Sequence, residues 1–515
     1  FFVGINDGNV PKKADSRSVL SESDREYLED KGIVMSASVR EKAFTQRFYL
    51  YLIMTKSAEK LYMSYAVKNS EGAALMPSYI IRSMRKMFSH CLKLSYKDTA
   101  QQNSYVTIPR AANSFDNTEI AANVDEDIID SLTGGRLVGS VTSFENFAEC
   151  PLRYYLRYGV DLKEREEFTF SPVNFGVVLH AVIREVCDEI KKNGESYYLI
   201  SEEKRREMVK RSVAAITDIY QNSILKDSSR NSFMIKRMED LADRTIWAMG
   251  EQLKCGDFVP FVFEHKFNME VGDGDRKQLM SGTIDRVDIC ENGTDVYVRI
   301  IDYKTGKKDF NIVKTYYGID IQLMVYMEAA MKLVAKMRPG KNVIPAGVFY
   351  YNISDPIVSA TTESAEEIED KIKGELRLKG MVNSDKEIAE KMDNTEGTSL
   401  NIPVSRKADG GFDSRRSKVM NTEQFNMLGR FVDVRAVDTA DRIAGGDIRR
   451  SPYKDGQFSS CDRCPYGAVC GFSVDLPGCN YRKLKKFDDE VLWNNIKEGV
   501  DENGKKMDTG AEERD

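Results

Sequence analysis

The sequence predicts an α/β protein, on three observations. Residues Pro172 to Lys192 carry Phe175, Leu179, Val182, Val186 and Ile190 at the spacing of an amphipathic helix. Phe261, Phe263, Phe267 and Met269, and again Val296, Val298 and Ile300, recur with the period of two of a strand. Between 140 and 487 such helical and strand-like stretches alternate, which is the pattern of a sheet layered with helices.

A chain of 515 residues is too long for one ordinary domain and is expected to form roughly two to four. Four segments are expected: an N-terminal piece over 1–70, a connecting region and linker over 71–136, the sheet domain over 137–487, and a C-terminal tail over 488–515. The linker is read from Asn113 to Gly135, which mixes Asp, Glu, Asn and Gly with few large apolar residues. The residues after about 498 are charged, lack aromatics and are expected to be disordered. Hydrophobic residues make up 41% of the chain, and no apolar run approaches the ~18 residues of a membrane span, so the protein reads as soluble. It opens with Phe1-Phe2-Val3-Gly4 rather than methionine, and is read as a fragment of a longer cytosolic polypeptide.

A net charge of -6 argues against a protein that coats nucleic acid, because such binding relies on Lys and Arg neutralising phosphates. Three local basic patches remain: Arg82, Arg85 and Lys86; Arg449 and Arg450; and Arg482, Lys483, Lys485 and Lys486. Each reads first as solvated surface. Nine cysteines, an odd number, do not suit a secreted disulfide framework and point instead to metal or cluster binding.

The strongest local signal lies between Leu279 and Lys304, where Glu291-Asn292-Gly293-Thr294 separates two strand-like runs and Asn-Gly marks a hairpin turn. With the turn centred between Asn292 and Gly293, Asp285 faces Ile300 and Thr283 faces Asp302. Asp285, Ile300, Asp302 and Lys304 then share one face, with the two aspartates diagonal neighbours roughly 7 Å apart. Charged residues that follow Val298 and Ile300 on a core face cost stability unless something binds there. A hard divalent cation such as Mg²⁺ suits the carboxylates, and can polarise a phosphoryl oxygen and acidify water. Lys304 would hold the attacking water or offset phosphate charge, so the implied chemistry is phosphodiester hydrolysis. The bland alternative is an Asp–Lys ion pair at a strand end. His180 sits at the edge of the apolar stripe of its helix, with Gly176 one turn earlier leaving room for a ligand. Gln322 and Tyr326, four apart, project from one face of another helix.

In order, Phe175-Gly176-x-x-x-His180, Gly282-Thr283-Ile284-Asp285-Arg286-Val287-Asp288, Ile301-Asp302-Tyr303-Lys304-Thr305-Gly306 and Gln322-x-x-x-Tyr326 resemble the nuclease motifs of the RecB-like branch of the PD-(D/E)xK superfamily, a restriction-endonuclease-like fold. The resemblance implies that His180, Asp285, Asp302 and the main-chain carbonyl of Tyr303 bind the metal. It implies further that Lys304 is the catalytic lysine and that Gln322 and Tyr326 contact DNA and support the site.

Cys461-x-x-Cys464-x5-Cys470 forms a compact three-thiolate group, for which Cys479 or Cys150 could supply a fourth ligand. Spacing alone allows structural zinc as readily as an iron–sulfur cluster. A subset of the nucleases that this chain resembles carries one cysteine before the first nuclease helix and three after the last motif, which implies a [4Fe-4S] cluster on Cys150, Cys461, Cys464 and Cys470. Such a cluster would staple a loop of about three hundred residues. Cys91, Cys187, Cys255, Cys290 and Cys479 fall outside it.

At the N-terminus, Phe2 to Pro11 and Tyr49 to Leu61 look like the late motifs of a degenerate superfamily 1 helicase. Lys56 stands where active members carry an arginine that contacts the ATP γ-phosphate, and it cannot make the same bidentate contact. No phosphate-binding G-x-x-x-x-G-K-[ST] loop occurs in the chain. A decayed helicase segment followed by a cluster-bearing RecB-like nuclease resembles the AddB-type family of AddAB helicase-nucleases. That resemblance implies a bacterial, cytoplasmic, Mg²⁺-dependent DNA exonuclease subunit that pairs with an AddA-like helicase-nuclease. Its substrates would be double-stranded DNA ends and single-stranded DNA, and it would cut the 5′-ended strand during double-strand-break processing for recombinational repair. Arg153, Tyr154, Tyr155 and Arg157 could line a path for a single strand. The alternatives are a free-standing cluster-containing exonuclease and a non-catalytic DNA-end-binding subunit, the latter disfavoured by the intact Asp285, Asp302 and Lys304.

Overall fold

The structure is a computed structural model that describes residues 1–12, 21–33, 36–69, 73–88, 123–125, 127–129, 138–163, 172–219, 229–271, 278–358, 364–474 and 479–512. The chain divides into two compact units, Phe1–Ile120 with Gly467–Tyr481 and Ala121–Tyr466 with Arg482–Asp515. The linker expected at 113–135 lies largely outside the described residues, and so does Cys91.

In the smaller unit, helix α1 (Val39–Thr55) starts at a capping box, in which Ser38 Oγ accepts the Glu41 N–H and the Glu41 carboxylate accepts that of Ser38. Ile5 and Leu50, one from each helicase-like stretch, are buried with Ile80 of α2 (Tyr79–Met87), and Phe2, Met54 and Met63 pack around them. Asn6 serves as a strand partner through its side chain, donating to the Ala66 carbonyl at 2.7 Å and accepting from the Ala66 N–H at 3.0 Å. The two stretches therefore share one small core. Lys56 is the exposed C-cap of α1.

In the larger unit, β1 (Val138–Ser140) leads into α3 (Val141–Glu149), followed by α4 (Pro172–Lys192), α5 (Glu202–Ile219) and α6 (Ser229–Lys254). Next come β2 (Val259–Val271), β3 (Gln278–Asn292), β4 (Asp295–Lys304), α7 (Gln322–Met337) and β5 (Asn342–Asn352). The unit closes with β6 (Lys379–Asn383), β7 (Val419–Met420), α8 (Thr422–Ala444) and α9 (Asp489–Glu512). Among the described residues the strands form a seven-stranded sheet ordered β1-β3-β4-β5-β6-β7, with β2 paired to β3. Strands β2, β3 and β4 are antiparallel neighbours, whereas β4 and β5 run parallel through the crossover helix α7.

Successive residues of β4 enter different cores. Val296, Val298 and Ile300 belong to the layer built with α7 and α8, and Tyr297, Ile301 and Tyr303 to the layer built with α4, α5 and α6. The period-two reading found one of these faces; the other is buried as well, as expected of strands covered by helices on both sides.

The β3–β4 register differs from the expectation. Asn292 pairs with Asp295 across a turn of Gly293 and Thr294, so Val287, not Asp285, faces Ile300. Gly293 takes the first central position at a φ of 60°, a left-handed conformation that glycine adopts without strain. The slip of two residues keeps Val287 and Ile289 on the face of Val296, Val298 and Ile300, in the α7–α8 layer, but Asp285, next to Ile284 of that layer, turns instead to His180 of α4. The pairing ends at Arg286↔Ile301, and beyond it the Asp285 carboxylate, rather than the β3 backbone, accepts the Tyr303 N–H. At the other end of the chain, helix α9 runs through residues expected to form a tail. Leu492, Ile496 and Val500, spaced four apart, pack into the α7–α8 layer.

A buried ion cluster sits on the α4–α6 side. Arg286 donates through Nε and Nη2 to the two oxygens of Asp288 at 2.7 and 2.6 Å, and Arg299 Nε reaches the same carboxylate at 2.8 Å. All three side chains are exposed by 1% or less, and the Arg299 guanidinium stands 4.9 Å from the Phe258 ring centroid. One carboxylate thus holds two cations away from water. Asp288→Ala leaves both uncompensated and is expected to cost about 3–5 kcal/mol in denaturant unfolding. A variant within about 1 kcal/mol of the parent would contradict this account.

Candidate metal centre

Three ligand-type side chains converge from three elements: His180 of α4, Glu264 of β2 and Asp285 of β3. His180 Nδ1 lies 3.4 Å from Asp285 Oδ1 and 3.5 Å from Glu264 Oε1, and the ligand atoms of the three residues fall within 4.8 Å of one another. The His180 ring meets that of Tyr303 edge-on at 5.9 Å, which orients the imidazole. Glu264 has a φ of 47°, a left-handed conformation costing on the order of 1–3 kcal/mol for a non-glycine residue. The donor set fits a divalent cation, since it combines two carboxylates with one imidazole.

Asp285 also ties the centre to β4. Its Oδ2 accepts the Tyr303 N–H at 2.6 Å. Beyond Tyr303, Lys304 Nζ lies 2.5 Å from Asp302 Oδ2 and donates to Gln322 Oε1 at 2.9 Å. Gln322 Nε2 in turn donates to the Tyr326 hydroxyl at 2.9 Å. Tyr326 can approach β3 because Gly282 has no side chain: a Cβ there would stand 3.0 Å from Tyr326 Cε1 and 2.7 Å from Phe267 Cε1. The structure therefore gathers His180, Asp285 and the Tyr303 main chain on one side, and Asp302, Lys304, Gln322 and Tyr326 on the other, along one strand end. Gly176 stands beside the loop after Lys304, where a Cβ would meet Thr305 Cγ2 at 3.7 Å, an ordinary van der Waals contact.

Two acidic residues near these groups escaped the sequence reading. Glu264 stands in a strand whose apolar alternation drew attention to its neighbours. Glu145 of α3 accepts the N–H groups of Ile321 and Gln322 at 2.9 and 3.0 Å. Neither carries a local signal, because each meets its partners only through tertiary packing. Nearby, Lys308 pairs with Asp320 at 3.0 Å and lies 4.5 Å from the Tyr350 ring centroid, while the Tyr350 hydroxyl donates to Asp320 at 2.6 Å.

Other sequence candidates divide. Tyr154 is buried against Phe147, Arg153 pairs with Glu149, and Arg157 lies over the Tyr158 ring. Arg449 is exposed and pairs with Asp447, whereas half-buried Arg482 donates to the carbonyls of Ser451, Ala148 and Glu149 and is structural rather than solvated. Burial raises the Cys150 thiol above its ordinary value, against the lowering pull of nearby main-chain N–H groups. The Cys464 N–H donates to the Cys461 carbonyl at 3.1 Å. Cys470 Sγ accepts the Phe472 N–H at 3.4 Å.

Burial and the Asp285 charge push the Asp302 carboxyl up to about 7, against the opposing pull of Lys304. Burial alone would lower His180, but its hydrogen bonds to Asp285 and Glu264 outweigh it and raise the imidazole to about 10. Burial likewise lifts Glu145 to about 7, opposed by Lys308. For Asp302 a raised folded-state value means that its contribution to stability is complete below the ordinary carboxylate range and is lost as pH rises through about 7. Between about pH 5 and about pH 8, metal-free protein is therefore expected to lose roughly 2–4 kcal/mol relative to its Asp302→Asn variant, read by denaturant unfolding of both. Parallel pH profiles for the two proteins would refute the assignment.

The sequence profile of the PD-(D/E)XK nuclease superfamily matches residues 139–471. The B subunit of the ATP-dependent helicase/deoxyribonuclease of Clostridium acetobutylicum is 30% identical over 98% of this chain and 48% of its own length. Proteins of the same name from Lachnoclostridium phytofermentans and a Thermoanaerobacter species are 31% and 29% identical, over 100% and 99% of this chain and 48% and 49% of their own. The chain thus spans about half the length of these relatives. With the profile covering more than half of its length, the chain belongs to the PD-(D/E)XK nuclease superfamily.

Proposed function

We propose that this chain is the nuclease-bearing part of the AddB-type component of an AddAB helicase-nuclease. In this reading it hydrolyses DNA in the bacterial cytoplasm, in complex with an AddA-like partner, and trims the 5′-ended strand at double-strand breaks during recombinational repair. The observation that carries the reading is the line of contacts from His180 and Asp285 through the Tyr303 main chain to Asp302, Lys304 and Gln322. The names of the relatives support the assignment to this complex. Among the described residues no helix is long and apolar enough to cross a membrane.

His180, Asp285, Asp302 and the Tyr303 carbonyl would hold Mg²⁺, with Glu264 as a further carboxylate. When bound, the cation supplies Lewis-acid polarisation of the phosphoryl oxygen and acidifies water. Lys304 is then the group that orients water and offsets charge on the phosphate, because its ammonium is held between Asp302 and Gln322 with a proton left for a third partner. Gln322 and Tyr326 stand beside it on the DNA side. Cys150, Cys461, Cys464 and Cys470 would carry a [4Fe-4S] cluster. The helicase-like segment, with Lys56 in place of arginine, would serve as an arm without ATPase activity of its own.

The test uses the full-length protein with its natural partner and duplex DNA labelled separately on each strand. Asp302→Ala and Lys304→Ala are each expected to lower Mg²⁺-dependent loss of the 5′-ended strand by on the order of 10²-fold or more. Unchanged cleavage in either variant would sink the site assignment, and loss of the 3′-ended strand instead would sink the polarity. Glu264→Gln is expected to raise the Mg²⁺ concentration needed for half-maximal activity roughly 10–100-fold, and an unshifted titration removes it from the centre. Purified protein should contain about four irons and no stoichiometric zinc; a colourless zinc protein rules the cluster out.

A further inference from the structure

The first turn of α7 is capped from outside the helix. Its own N-cap residue, Ile321, makes no side-chain cap bond. The orphan N–H groups of Ile321 and Gln322 donate instead to Glu145 Oε1, at 2.9 and 3.0 Å, across 176 and 177 residues of sequence. A carboxylate is favoured at a helix N-terminus, where the backbone dipoles present positive charge, and a half-buried one needs such donors.

The residue held in this way is the one that touches Lys304. Gln322 Oε1 accepts from Lys304 Nζ and its Nε2 donates to Tyr326, both at 2.9 Å. Lysine is only a donor, so the amide must turn its oxygen to Lys304 and its nitrogen to Tyr326. A first turn free to shift would lose both bonds together. The Lys308 cation favours the Glu145 carboxylate against its burial but is itself paired with Asp320, so the carboxylate is left to the helix N–H groups.

We propose that Glu145 is a positioning residue of the nuclease site: it fixes the first turn of α7 and thereby the Gln322 amide that holds Lys304 against Asp302. This rests on the nuclease reading above and adds to it a residue from α3, an element outside the four nuclease motifs. Glu145 need touch neither DNA nor metal to do so.

The experiment is a double-mutant cycle in the full-length protein with its natural partner, with kcat and KM for DNA measured at saturating Mg²⁺. Glu145→Ala is expected to lower kcat roughly 10–100-fold with KM for DNA changed less than about threefold. In a Gln322→Ala background the same substitution is expected to have less than about a threefold effect, because the route through Gln322 is already cut. An unchanged kcat in Glu145→Ala overturns the proposal, and so does the same fold-loss in both backgrounds, which would mark a general structural role. If Glu145→Ala does not fold, judged by circular dichroism, Glu145→Gln takes its place in the cycle under the same criteria; it keeps an acceptor oxygen, lacks the charge, and is expected to show a smaller loss that again vanishes in the Gln322→Ala background. Asp302→Ala is measured alongside. Its inactivity upholds the nuclease reading whichever way the Glu145 cycle falls, whereas full activity in Asp302→Ala overturns that reading and the role of Glu145 with it.

Discussion

The Tyr303 N–H donates to Asp285 Oδ2 at 2.6 Å at the point where β3 changes partners, and the arrangement of the site follows from that bond. Strand β3 pairs with β4 from Asn292 back to Arg286 and with β1 from Ser281 back to Leu279. Between these ladders a backbone N–H of β4 would lack an acceptor, which a buried strand cannot sustain. Asp285 fills that place with its side chain. One carboxylate oxygen is thereby committed to β4 and the other is turned toward His180, so the same bond that closes the fork in the sheet aims the ligand. It also brings Asp302 and Lys304, the next outward residues of β4 on the opposite face, alongside.

Charge around this fork is buried in pairs. His180 is matched by Asp285 and Glu264, Lys304 by Asp302, Lys308 by Asp320, and Arg286 with Arg299 by Asp288. Burial of such pairs adds little to stability by itself, because desolvation offsets most of the attraction. The pairs differ in what they leave over. The Asp288 cluster is enclosed on all sides and acts as framework, whereas the carboxylates of Glu264, Asp285 and Asp302 gather around one strand end, and Glu264 holds a strained backbone there. Strain and surplus negative charge at one point of an otherwise consistent fold are the observations on which the proposed cation site rests.

Helix α7 joins the layers of this design. Its inner face packs into the core with Val296, Val298 and Ile300 of β4, its first turn carries Gln322 and Tyr326, and its N-terminus is closed by Glu145 of α3. The crossover that makes β4 and β5 parallel therefore also delivers the residues flanking Lys304. The residues of the site thus come from one hairpin, one preceding helix and one crossover helix, together with strand β2 and helix α3.

What the sequence by itself determined were relations set by local periodicity. Asp302 and Lys304 share a strand face because they are two apart, and Gln322 and Tyr326 share a helix face because they are four apart, whereas the expected hairpin register was two residues off and Asp285 turns to α4 rather than to the face of Ile300. The tertiary structure alone decided which distant segments meet. Glu264 reaches His180, Glu145 reaches Gln322, Gly176 faces Thr305, Arg482 turns to internal partners, and the terminal helix finds an apolar layer to cover. None of these is visible in spacing, because strand order and helix docking are settled by how whole apolar faces pack, and a polar side chain carried on such a face takes its partner from wherever the packing puts it.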